Sequence, residues 1–258
     1  MATRGKHSAL AAAALALSTT WSWAADPDVL WHIVHEQCLP NQQQNHDPAP
    51  CESVDLSAGV DRGSAVLKDL VGATQFLLIP TTPVTGIESP ALLAPDASNY
   101  WAAAWKARRF VFTRAHKELP RDAIGLAINA VTTRSQNQLH IHVDCIRTDV
   151  RAFLAAQAND LPREWSGPNT ELLGHSYWAM RLEGSELSDA NPFKLLADGI
   201  PEARQDMSRW KLVVVGASFA EGREGFVLLA GHIDPAIGDY GAGTELLDHA
   251  CAVANSGR

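Results

Sequence analysis

Apolar residues alternate with polar ones in several short runs of this chain and recur every three or four positions elsewhere. The first rhythm predicts strands and the second helices. The stretch V-L-W-H-I-V-H-E-Q-C has helical spacing and predicts a short helix over Val29–Cys38, followed by a Gln-, Asn- and Pro-rich loop to about Ser53. Strands are expected over Ala65–Leu70 and Gln75–Pro80, with Val71–Thr74 as the turn between them. Pro80, Pro83, Pro90 and Pro95 then mark an extended connection. Asn99 suits the N-cap of a helix from Tyr100 to about Lys117, with Trp101, Trp105 and Phe112 facing inward. Leu126–Ala130 and Leu139–Ile146 form a second strand pair, linked by the polar segment Thr132–Asn137.

The second half repeats this order more weakly. A strand is expected over Ser176–Leu182, an interrupted helix over Pro192–Met207, and a hairpin of Lys211–Ala217 and Gly225–Ala230 around Glu221-Gly222. The recurrence predicts an α+β fold built from a duplicated unit, a pseudo-dimer folded as one body. The Gly- and Ala-rich tail after Gly231 carries the least information.

The pattern is different at the start. Arg4, Lys6 and His7 precede an uncharged Ala/Leu-rich run from Ser8 to Thr19, and Ser22-Trp23-Ala24 follows as a small-x-small site. Residues 1–24 therefore read as a secretory signal peptide, with a retained anchor as the alternative because Trp21 and Trp23 suit a membrane interface. No other run is long and apolar enough to cross a bilayer. The remaining residues, 25–258, are 46% hydrophobic over the chain as a whole and suffice for one sizeable domain, its first half active and its second a degenerate copy.

Without residues 1–24 the balance is 19 basic against 29 acidic residues, a net charge of −10. Such a chain is not a nucleic-acid binder, and an anionic substrate must be held by local donors. The four cysteines show no C-x-x-C spacing, so in an exported protein they predict two disulfides. Of three possible pairings we favour Cys38 with Cys51, clasping the polar loop, which leaves Cys145 with Cys251.

The candidate chemistry lies in N-Q-L-H-I-H-V-D-C-I-R, residues 137–147, where His140 and His142 project from one face of a strand. A pair of this kind can be structural, can ligate a metal, or can act as a nucleophile with an assisting neighbour. Metal ligation lacks a well-spaced third ligand among Asp144, His116, His175 and His232. Arg134, Ser135, Gln136 and Asn137 instead offer donors to phosphoryl oxygens just before the strand. A neutral imidazole attacks phosphorus near neutral pH without a metal. The G-x-S-x-G, P-loop and G-x-G-x-x-G motifs are absent.

Q-L-H-I-H-V resembles the histidine-triad (HIT) pattern, with Gln138 where the first histidine usually stands. More closely, L-W-H-I-V-H-E-Q-C-L-P-N-Q-Q-Q-N, D-P-A-P-C, V-L-K-D, the histidine segment and G-H-S-Y resemble the bacterial CDP-diacylglycerol pyrophosphatases, from about Val29 to Ala230. The resemblance implies a HIT-like antiparallel sheet with packed helices. It also implies hydrolysis of CDP-diacylglycerol by water to CMP and phosphatidic acid through a nucleotidyl-histidine, with no metal or cofactor.

Mapped by register, His140 is the nucleophile, His142 its partner at the phosphate, and Gln138 and Gln75 stand in orienting positions. A rival register makes His140 first, His142 the nucleophile and Asp144 third. The resemblance further implies Asp69 at the ribose hydroxyls and Lys68, Asn129, Ser135 and Asn137 at the phosphates. Trp31 and Leu67 would wall the base pocket. The substrate would bring the chain to a membrane surface, at the periplasmic side of the inner membrane. The competing functions are a hydrolase of soluble nucleotide diphosphates or phosphoramidates, and a non-enzymatic periplasmic nucleotide-binding protein.

Overall fold

The computed structural model describes residues 26–254, so the leader expected over residues 1–24 lies outside the described residues. Nine strands form one antiparallel sheet: β1 (Ser53–Asp55), β2 (Ser64–Lys68), β3 (Phe76–Pro80), β4 (Ile124–Ile128), β5 (Ile141–Cys145), β6 (Ser166–Leu172), β7 (His175–Glu183), β8 (Trp210–Ser218) and β9 (Glu224–His232). Their order across the sheet is β1-β2-β3-β5-β4-β8-β9-β7-β6. The β4–β8 contact is the centre. Reading outward from it gives β4, β5, β3, β2 on one side and β8, β9, β7, β6 on the other.

Alternation along each strand divides the apolar residues between two faces. On the first face Leu126, Ile141, Val143, Val214 and Phe226 join one large core with α3 (Tyr100–Ala115), α5 (Pro192–Gly199) and α6 (Pro201–Gln205). Asn99 caps α3 by accepting the Ala102 N–H at 3.2 Å. Trp101 and Trp105 of α3 are completely buried, whereas Phe112, expected beside them, is only partly covered. The interruption expected in Pro192–Met207 falls at Pro201, which starts α6.

The second face carries two separate apolar clusters, one at each end. At one end Leu30, Val34 and Cys38 of the N-terminal helix pack on Ala65, Leu77 and Ile79. At the other end α4 (Thr148–Gln157) lays Val150 and Leu154 on a cluster containing Val213, Val215, Val227 and Leu229. His140 and His142 lie between these two clusters, His140 itself buried.

Some expected elements are displaced. The N-terminal helix does not stop at Cys38 but runs as α1 (Val29–Ile33), a π-helical stretch (Val34–Cys38) and α2 (Leu39–Asn45). The polar run read as a loop is thus a surface helix, in which Leu39 is buried and Gln43 and Gln44 are exposed. Gln favours helix, and an exposed helix needs only a narrow apolar contact. β1, α4 and β6 were not expected. The first two offer little pattern, and β6 carries Gly167-Pro168, which suits its position at the sheet edge.

Both expected disulfides are present, Cys38–Cys51 and Cys145–Cys251. The second ties β5 to the C-terminal tail, and the Asp248 N–H donates to the Cys145 carbonyl at 2.8 Å beside it. A cross-link stabilises mainly by restricting the unfolded chain, and more so for a longer loop. Sequence separations of 106 and 13 therefore rank the two bonds. Replacing Cys145 and Cys251 by Ser is expected to cost about 4–5 kcal/mol, against about 3 kcal/mol for the Cys38 and Cys51 pair. Urea unfolding of the two double variants checks the order.

Candidate active site

β5 carries the site because its neighbours hold both flanks. His142 sits opposite Leu77 of β3 on one side and Ala127 of β4 on the other. His140 immediately precedes the strand, and its Nδ1 lies 2.7 Å from the backbone carbonyl oxygen of Gln138. A carbonyl can only accept, so Nδ1 carries the proton and the lone pair of the neutral ring sits on Nε2. The two imidazoles meet edge to face, with centroids 4.9 Å apart.

Both rings are held uncharged. Burial pushes the His140 imidazole below its ordinary value, against the carbonyl bond, which pulls the other way. His142 is pushed well below it by burial, with His140 and His249 adding to the effect. Neither nitrogen of His142 has a hydrogen-bond partner in the protein. Its nearest charged neighbour is Asp69, with Oδ2 3.9 Å from Nδ1. A buried ring with both polar atoms unpaired is costly unless something else satisfies it.

Asp69 is itself positioned from two sides. Gln75 donates from Nε2 to its Oδ2 at 2.5 Å, and the Val71 N–H donates to Oδ1 at 3.0 Å. Gln75 therefore orients the carboxylate and makes no bond to the His140 ring. Gln138 acts on His140 through its carbonyl. Its side-chain amide donates to the carbonyls of Pro80 and Thr82 and accepts from the Val84 N–H, pinning the loop after β3.

His140 also lines a small cavity with Gly86, Asn129, Arg134 and Gln138. The Arg134 guanidinium lies directly over Gly86, where a Cβ would sit 1.8 Å from Nη1, and it pairs with Glu88 at 2.6 Å. Asn129 bonds both the hydroxyl and the N–H of Thr244. Ser135 and Asn137 are exposed in the loop leading to β5, and Gln136 is buried with its amide on Leu30 and Asp26.

Three expected residues stand apart. Lys68 lies on the opposite face with Phe76, and its ammonium caps the carbonyls of Asp69 and Gly72. Trp31 stacks on His35 at 4.4 Å along the outer side of α1. Leu67 shares the histidine face but packs into the cluster under the N-terminal helix.

Asp144 is completely buried and accepts from the Thr74 hydroxyl at 2.6 Å and its own neighbour Cys145 N–H at 2.8 Å. Its second oxygen meets Nδ1 of His249 at 3.1 Å, a contact that raises the His249 imidazole above its ordinary value. His249 was not anticipated. The available signal was Cys251, two residues further on, whose bond to Cys145 brings the tail to this strand. Among the described residues no three His, Cys, Asp or Glu side chains are grouped so that they could hold a metal ion.

The family model of CDP-diacylglycerol pyrophosphatase matches residues 25–255. The chain belongs to that family. A CDP-diacylglycerol pyrophosphatase of Yersinia pestis is 40% identical over 229 residues, which span 89% of this chain and 86% of that protein. The match to the family covers both the half that carries the His140–His142 pair and the half that follows it.

The buried imidazoles make stability depend on pH. Below about pH 6.5 the unfolded chain takes up protons at positions 140 and 142 that the folded rings resist, so acid favours unfolding. His249 acts in the opposite sense: its raised value gives stability that is present in acid and lost as pH rises through the folded value. Relative to His142→Leu, the unmodified protein is expected to lose about 1.4 kcal/mol per pH unit as pH falls below that point, one proton's worth. Denaturant titrations between pH 7 and pH 5 measure the difference.

Proposed function

We propose that the chain hydrolyses CDP-diacylglycerol to CMP and phosphatidic acid, with His140 as the nucleophile. The observation that carries this is the bond from His140 Nδ1 to the Gln138 carbonyl, which leaves the Nε2 lone pair free for attack. His142 has no such anchor, which favours the register with His140 in the middle position over the one with His142 there.

In this reading Nε2 of His140 attacks the phosphorus next to cytidine, and the anhydride P–O bond breaks with phosphatidate leaving. Water then attacks the same phosphorus, the P–N bond breaks, and CMP departs with the ring restored. His142, uncharged and with both nitrogens unpaired, contacts phosphoryl oxygens through its N–H. Asn129 and Arg134, beside His140, serve the same oxygens, with Ser135 and Asn137 at the rim. Asp69 takes the ribose hydroxyls, which supplies partners to a carboxylate already oriented by Gln75. No step needs a metal.

The mirrored strand order supports a HIT-like duplication. A short 3₁₀ turn precedes β4 (Arg121–Ala123) and β8 (Met207–Arg209) alike. β9 then corresponds to β5, and its residues on the histidine face are Val227 and Leu229, both buried. The second unit keeps the frame and lacks the imidazoles. The two disulfides fit an exported protein at the periplasmic side of the inner membrane, and no described helix is long and apolar enough to cross a membrane.

The test is covalent. Substrate labelled on the CMP-side phosphate is expected to leave an acid-labile phosphoramidate on the protein. His140→Ala should remove both the label and the activity, the latter by about 10³-fold or more. His142→Ala should slow turnover while the label still forms, and chelator should change neither. Label lost in His142→Ala but kept in His140→Ala would reverse the assignment. Release of nucleotide from CDP-choline at the rate seen with the lipid would favour the soluble-diphosphate alternative.

A further inference from the structure

The large apolar side chains left in water are not spread evenly. Among the described residues these are Val29, Leu70, Val71, Val131, Leu173, Ile237 and Tyr240. The strand registers place their loops at two ends of the sheet. Leu70 and Val71 lie in the β2–β3 turn, at the end where Cys145 pairs with Ile124. The loops holding Val131, Leu173, Ile237 and Tyr240 lie at the other end, where Ile128 faces Leu212 and Trp210 faces His232. Val29 joins them, because the Asp26 carbonyl and the Leu30 N–H bond the Gln136 amide just before β5.

The loop after β9 is the most telling member. Asp234 and Asp239 pair across its base, the N–H of each donating to the other's carbonyl. Their carboxylates turn back: Asp234 accepts from the Ala236 N–H, while Asp239 meets His175 at 2.8 Å and accepts from the Gly241 N–H. Each acid thus has a partner within the loop or the protein beneath it. What remains outward is Pro235-Ala236-Ile237-Gly238 and Tyr240, with Ile237 79% and Tyr240 55% exposed.

This rim is also the one nearest the reacting groups. Val131 is two residues beyond Asn129, which lines the His140 cavity, and Thr244, just after the loop, bonds Asn129. Asp26, where the described chain begins, is held on the same rim, and the apolar run Ser8–Thr19 precedes it.

We propose that the strand end carrying Ile237, Tyr240 and Val131 is the membrane-docking rim of the protein, with the 234–240 loop inserting its apolar tip among lipids to present the bilayer-held substrate to His140. The inference rests on the lipid substrate assigned above. A net charge of −10 on residues 25–258 gives no general attraction to an anionic bilayer, so docking falls to apolar insertion. A Tyr beside an aliphatic tip suits the depth of the headgroups.

The experiment uses the full chain and two forms of one substrate. These are a water-soluble short-chain CDP-diacylglycerol and CDP-dioleoylglycerol in phosphatidylcholine vesicles. Ile237→Ser with Tyr240→Ser is expected to lower kcat/KM on vesicles about tenfold, from the lost apolar burial, and to leave the short-chain reaction unchanged. Leu70→Ser, at a still more exposed residue of the opposite end, should change neither. All cysteines are paired, so Ile237→Cys provides one thiol for an environment-sensitive fluorophore. Its emission should shift to the blue with vesicles and be quenched by spin-labelled lipid.

A label that stays in water while vesicle substrate is consumed would overturn the proposal. So would an equal loss on vesicles in Leu70→Ser. Failure of the unmodified protein to cleave the short-chain compound would instead count against the hydrolase reading, and the label's response to vesicles still decides the docking.

Discussion

The site depends on one hydrogen bond, between the His140 ring and the carbonyl two residues before it. It selects the tautomer, and the tautomer leaves the lone pair of the neutral ring on Nε2. The bond is possible because Gln138 is immobile: its side chain is spent on the Pro80, Thr82 and Val84 backbone, so its own carbonyl cannot swing away. A histidine at position 138 could hold the strand only through two ring nitrogens. The amide offers a fork of two donors and an acceptor, which fits a bent loop of exposed carbonyls and one N–H. The Gln138 amide thus holds the loop after β3 while its backbone carbonyl holds His140.

Burial does the rest, and burial is supplied by elements far apart in sequence. The N-terminal helix covers one end of the histidine face and α4 the other. Between them the two rings lose water without gaining a charged partner in contact, which keeps both neutral. The nearby acid that would oppose this, Asp144, is compensated by Thr74, the Cys145 N–H and His249. The Cys145–Cys251 bond, which holds the tail bearing His249, thus reaches into the electrostatics of the site as well as the stability of the fold.

Much of this was legible where the pattern is strong. The hairpin of β8 and β9, helix α3 with its Asn99 cap, the histidine strand and both cysteine pairs follow from periodicity, capping and spacing. The α2 helix was not, because its surface is polar all round apart from Leu39 and Pro40 reads as a break. Lys68 illustrates a different limit. Its neighbour Asp69 belongs to the site, but adjacent strand residues point to opposite faces, and the twist between them put the ammonium over Phe76. His249 lay in a tail with no periodicity, and only the covalent bond beside it gave it an address.

The second half of the chain, which lacks the paired histidines of β5, has its own physical role. β8 joins β4 along the middle of the sheet, so the strand beside β5 is central, with no free edge. Val213 and Leu229 continue the histidine face as apolar surface, and α4 seals it. Val227 and Leu229 place no polar ring in this closed interior, where one would need a partner. A symmetric pair of active sites would require both faces' ends to open to substrate. The exposed apolar loop after β9 and the held Asp26 lie at the strand end next to His140. The asymmetry of the sequence thus leaves the histidine pair in one half of a nine-stranded sheet, with the other half as its apolar continuation.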